Sequence, residues 1–149
     1  MTFEELRKQL RTASEQQFWL GAAESEIAAA ERDLDVKLPA SYRQFLREFG
    51  WGGVSHLEIF GLGGDVPNYL NLVSVAHRER TEMRPPIPRY LVPIMNDGAG
   101  NHYCLDTRQF SGNECPVAFW NHELGDLQQP QRIAPTFTDW LAEQLKEVS

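Results

Sequence analysis

The chain has 149 residues, 42% of them hydrophobic and 11% aromatic, which is enough apolar mass for one core and too much for a disordered chain. Against 21 acidic residues the 14 lysines and arginines leave a net charge of −7, which disfavours nucleic acid as a partner because phosphates need a cationic surface. No apolar run approaches the roughly 18–20 residues of a membrane span, and Met1-Thr2-Phe3-Glu4-Glu5 lacks the features of a secretion signal, so a single cytoplasmic domain over residues 1–149 is expected.

Thr2 and Glu5 form a capping-box pair, each side chain placed to accept the other's amide. Phe3, Leu6 and Leu10 follow at helical spacing, which predicts a short N-terminal helix within residues 1–20 that ends before Gly21. A second helix is expected from about Glu24 to Leu34, where Ile27, Ala30, Glu31 and Leu34 share a face and the alanines add propensity. Pro39 suits the start of a third helix. In that helix Tyr42, Phe45, Leu46 and Phe49 match i, i+3, i+4, i+7, and Gly50 supplies the stop. This inner face is expected to pack with Trp140 and Leu141.

Trp51-Gly52-Gly53 reads as a turn, followed by a short strand at Leu57, Ile59 and Phe60 that Gly61-Leu62-Gly63-Gly64 closes. Tyr69, Leu72, Val73 and Ala76 predict a helix entered near Pro67 and running to about Thr81. Arg84-Pro85-Pro86-Ile87-Pro88 is an extended connector. Residues 90–95 and 102–105 predict two strands joined by the glycine-containing hairpin loop 96–101, and Val117-Ala118-Phe119-Trp120 predicts a third strand in series. A closing helix opens at Thr136 and carries Phe137, Trp140, Leu141, Leu145 and Val148 on one stripe. The fold class is α+β: a mostly antiparallel meander backed by helices.

Candidate chemistry is sparse. No serine lies in a nucleophile elbow, and the four histidines (His56, His77, His102, His122) fall in separate elements. His102, Cys104, Cys115 and His122 invite a metal reading, since positions 102 and 104 share a strand face. Structural zinc sites usually carry tight C-x-x-C pairs, though, and none is present, so no metal is expected. The two cysteines read as small core or strand residues with reduced thiols, a cross-strand disulfide being the alternative. Gly61-Leu62-Gly63-Gly64 lacks the Lys-Ser/Thr of a phosphate loop. Asp97-Gly98-Ala99-Gly100-Asn101 lacks the alternating oxygens of a calcium loop, and its Asp and Asn are expected to brace the hairpin. No cofactor is implied.

Charge is distributed unevenly. Residues 101–149 hold three basic against seven acidic side chains, −4 of the −7. Asp106, Glu114, Glu123 and Asp126 all flank the meander, and an acidic edge of that kind could steer and hold a cationic partner. A solvated acidic surface with no partner is the plainer account of the count alone.

The run Ile27-Ala28-Ala29-Ala30-Glu31-Arg32-Asp33-Leu34, continuing through Leu38-Pro39, Tyr42 and Phe45-Leu46, resembles the opening motif of the SMI1/KNR4 (SUKH) family. Trp51-Gly52-Gly53, Ile59-Phe60-Gly61, the 96–106 hairpin, Val117-Ala118-Phe119-Trp120-Asn121-His122-Glu123 and Phe137-Thr138-Asp139-Trp140-Leu141 follow in the family's order, so the resemblance covers about residues 24–148. It implies a sheet backed by helices and a protein that acts by binding, without catalysis. Bacterial members are best known as immunity proteins that neutralise a cognate polymorphic toxin, often a nuclease or deaminase. On that basis the expected partner is a toxin domain, a basic nuclease among the candidates, bound by a monomer or weak homodimer through Asp106, Glu114, Glu123 and Asp126. A general interaction or scaffold module of the same fold is the alternative, and a small-ligand or enzymatic role stands behind both.

Overall fold

A computed structural model describes residues 1–13, 16–18 and 20–148. Helix α1 (Phe3–Thr12) is started by the Thr2–Glu5 box: the Glu5 amide donates to Thr2 Oγ1 and the Thr2 amide to the Glu5 carboxylate, both at 3.2 Å. Strand β1 (Gln16–Phe18) follows, where the spacing of Leu6 and Leu10 had pointed to a single helix up to Gly21. Part of that expectation, at residues 14, 15 and 19, lies outside the described residues. Helix α2 (Glu24–Leu34) has the expected bounds and ends on Asp35 in a left-handed conformation. Helix α3 (Ala40–Glu48) buries Tyr42, Phe45 and Leu46, and Gly50 behind it takes φ +79°.

Trp51-Gly52-Gly53 is not a turn. Gly52–Val54 form strand β2, antiparallel to β1 in a small separate sheet. The glycine at position 53 answers to close approach, because a Cβ there would lie 1.8 Å from the Leu57 carbonyl oxygen. Gly61 is similar: its Cβ would lie 1.8 Å from the Gly50 carbonyl oxygen. The expected strand at residues 57–60 reduces to isolated bridges, Gly52 with Ile59 and Gly61 with Asn71. Tyr69 belongs to a 3-10 turn (Asn68–Leu70), and helix α4 (Leu72–Thr81) starts three residues later, with Asn71 Oδ1 accepting from the Ser74 amide at 3.0 Å.

The main sheet is an antiparallel meander in the order β3 (Leu91–Asn96), β4 (His102–Asp106), β5 (Val117–Trp120), β6 (Gln131–Ala134). Its last strand has the polar sequence Gln-Arg-Ile-Ala, an edge strand with three exposed residues and no alternation to announce it. Helix α5 (Phe137–Val148) closes the chain, with Thr136 Oγ1 accepting from the Asp139 amide at 3.1 Å.

One main core joins α1, α2, α3 and α5 to the sheet through Val92, Ile94, Leu105 and Val117. Its aromatic spine runs Phe49–Phe45–Phe137–Trp140, with ring centroids 5.5–5.9 Å apart, so α3 meets α5 through Phe137 as well as sharing one core with Trp140 and Leu141. Leu91, Cys104 and Trp120 form a smaller cluster with Ile87 of the connector, and Tyr90 packs against it. Cys104 therefore packs in this cluster while Cys115 packs in the main core, and both are free thiols. Among the described residues no helix is long and apolar enough to cross a membrane.

Candidate functional site

The antiparallel register decides which of the four candidate carboxylates are neighbours. His102 pairs with Trp120 at one end of β4 and β5, and Leu105 with Val117 at the other. Asp106 and Glu114 therefore lie at the far end from Glu123 and Asp126, about three strand residues or roughly 10 Å along the sheet. They do not form one acidic edge.

Asp106 is 3% exposed, and its carboxylate accepts from the Arg108 guanidinium and from Gln109 Nε2 at 3.1–3.3 Å. Glu114 accepts from the Ser41 amide at 2.9 Å and the Ser41 hydroxyl at 2.7 Å. Pro39, the N-cap of α3, offers no side-chain acceptor, so a carboxylate from across the fold caps that helix and sits favourably at the positive end of its dipole. Both side chains are committed inside the molecule, a role no local spacing announces.

Glu123 and Asp126 are exposed on the loop between β5 and β6. The loop is built from within by Gln128: its Oε1 accepts from the Asn121 amide at 3.1 Å, and its Nε2 donates to the carbonyls of Asn121 and Gly125 at 2.7 and 2.9 Å. Asn121 Oδ1 accepts from the Glu123 amide at 2.9 Å, and Asn101 Oδ1 accepts from both the amide and the ring Nδ1 of His122. Alternating with the two acids, the loop projects Leu124, 66% exposed, and Leu127, 93% exposed. Sequence reasoning passed over these leucines. Their signal is apolar side chains in Glu-Leu-Gly-Asp-Leu, a stretch with neither a helical nor a strand period.

Asn101 also donates from Nδ2 to Asp97 at 2.9 Å, which ties this loop to the β3–β4 hairpin. Asp97 accepts from the amides of Ala99 and Asn101, and Gly98 donates to Asn96 Oδ1, so the Asp and Asn residues brace the turn as expected. Although burial opposes it, these bonds hold the Asp97 carboxyl below its ordinary range.

Beside the hairpin opens a cleft of about 620 Å³. Its lining includes Phe60, Tyr69, Arg78 and Glu79, with His102 from β4 and Glu147 from α5. The His102 side chain is 5% exposed and that of Glu79 12% exposed. Burial pushes His102 down to about 4, outweighing the attraction of Asp97, and pushes the Glu79 carboxyl up against the opposing pull of Arg78 and His122. His102 is accordingly neutral near pH 7. Among the described residues no three His, Cys, Asp or Glu side chains gather as a metal site.

The family model SUKH_5, described as SMI1-KNR4 cell-wall, matches residues 3–146. A crystal structure of a protein from Pseudomonas syringae pv. tomato is similar over 96% of this chain and 98% of that one, at 20% identity and a TM-score of 0.72, a likeness of fold. With nearly its whole length matched by the family model, the chain belongs to the SMI1/KNR4 (SUKH) family.

Proposed function

We propose that this protein is an immunity protein: it binds a cognate toxin domain with a basic surface in the cytoplasm and neutralises it without catalysis. The observation that carries this reading is the β5–β6 loop. Two large apolar side chains stand out in water on a loop that Gln128 and Asn121 hold in one shape. Exposing Leu124 and Leu127 on a pre-ordered loop brings no packing to the monomer, whereas it lowers the ordering cost of inserting them into a partner. Glu123 and Asp126 alternate with them along the loop, so the complementary surface is apolar with cationic groups beside it.

A toxin acting on nucleic acid presents such cationic groups because its substrate is a polyanion. An acidic partner seated there excludes the substrate and gains association rate from long-range attraction. Family membership supports the reading, since bacterial members are best known in this role. Titrating the purified chain against the toxin domain encoded beside its gene tests it. Toxin activity is expected to fall to zero at one equivalent with a 1:1 complex on size exclusion. Full toxin activity at excess protein, with no complex in low salt, would overturn it.

A further inference from the structure

The cleft beside the hairpin is lined by a buried polar atom with no hydrogen-bond partner among the described residues, His102 Nδ1, and by the Glu79 carboxylate next to it. Glu79 Oε1 lies 3.7 Å from His102 Nδ1, too far for a hydrogen bond, and Nδ1 has no hydrogen-bond partner among the described residues. The Glu79 side chain is 12% exposed and that of His102 5%, so water reaches neither freely. Asn96 Nδ2 faces His102 Nε2 at 3.4 Å, so in the neutral ring Nε2 is the acceptor and Nδ1 carries the proton on the side of Glu79. The carboxylate's remaining lone pairs are what an incoming donor would meet. Glu58, Glu79, Asp97 and Glu147 line the cleft against Arg78, the one arginine or lysine among the described lining residues, which sets the sign of what can enter. Burial and then the charges of Asp97 and Glu147 raise the Tyr103 hydroxyl on the same wall, as an anionic enclosure should.

An anion would meet these carboxylates, and a neutral molecule would leave Glu79 unanswered. A guanidinium fits both the charge and the walls. It is planar, weakly hydrated, donates in a fork matched to a carboxylate, and lies well against aromatic rings such as Phe60 and Tyr69. We propose that the cleft is the receptacle for an arginine side chain of the partner, its guanidinium on Glu79. The proposal rests on the immunity reading for the identity of that partner. The hydrogen-bonded chain Asp97–Asn101–His122 joins the rim of the cleft to the β5–β6 loop, so a partner seated on Leu124 and Leu127 has the cleft beside it.

The free chain and a small probe suffice for the test. Acetyl-arginine amide is titrated into the 15N-labelled protein and compared with acetyl-citrulline amide, which has the same shape without the charge. Saturable shifts are expected at the amides of Glu79, Asp97 and His102 at roughly millimolar arginine, about tenfold weaker with citrulline and in Glu79→Gln. The arginine–citrulline comparison on the wild type keeps the test valid if Glu79→Gln misfolds. Equal responses to the two amides, shifts gathered elsewhere, or no saturation would overturn the proposal. Because no toxin is present, that failure is separate from failure of the immunity reading, which the activity titration alone decides.

Discussion

Glu114 offers the sharpest check on how charge is used in this fold. Its carboxylate takes two hydrogen bonds from Ser41, a residue 6% exposed at the second position of α3. Glu114→Ala would leave the Ser41 amide and hydroxyl without that acceptor in a site water reaches poorly. Bonds to a charged acceptor are worth about 1.5–3 kcal/mol and a lost helix cap about 1 kcal/mol, and the two descriptions overlap here, so the expected loss is about 2 kcal/mol. For a chain of this size that corresponds to a fall in Tm of about 4–8 °C. Glu114→Gln keeps one acceptor oxygen but not the charge, and should lose roughly half as much. Urea unfolding with a common slope measures both. A loss under about 0.5 kcal/mol for Glu114→Ala would show the carboxylate free of the helix, and available to a partner after all.

Phe45 is fully buried among Tyr42, Phe49 and Phe137, so Phe45→Ala should cost about 3–5 kcal/mol by chemical denaturation. Tyr42→Phe removes the hydroxyl that donates to the Phe60 carbonyl at 2.6 Å in the core, and a loss of about 1–2 kcal/mol in the same assay is expected. His102 titrates near 6.5 when unfolded and near 4 when folded, so between those values the unfolded chain binds the extra proton and stability falls as pH drops. The fall is at most about 3–4 kcal/mol, and the raised Glu79 carboxyl opposes it at the acid end. In His102→Gln the dependence of unfolding free energy on pH across that window should be visibly flatter.

Much of the fold was legible because its signals are local. The Thr2–Glu5 box, the helix over residues 24–34, the i, i+3, i+4, i+7 face of α3 and the meander each need only neighbouring residues to be read. What escaped depends on distant contact. Gly52 and Gly53 look like a turn until β1 and the Leu57 carbonyl are seen against them. Strand β6 is polar because it lies at the sheet edge, so it carries no period. The site was harder still. Counting charge placed Asp106 and Glu114 beside Glu123 and Asp126, while the strand register puts the pairs at opposite ends and spends the first on internal bonds. Glu79 and His102 stand 23 positions apart on different elements, and only the packing of α4 on the sheet brings them within 3.7 Å.

Association kinetics test the central claim most directly. The toxin domain is mixed with the wild-type chain and with a Glu123→Lys, Asp126→Lys double variant by stopped flow, at low and at physiological salt. Both residues are exposed on a loop whose shape depends on Gln128 and Asn121, so the variant should fold normally. At low salt it should associate about tenfold more slowly than wild type. The difference should shrink at physiological ionic strength, where screening limits exposed charges to about 8 Å. Equal rates for the two proteins at low salt, or no association by the wild type, would contradict binding of a basic partner through this loop.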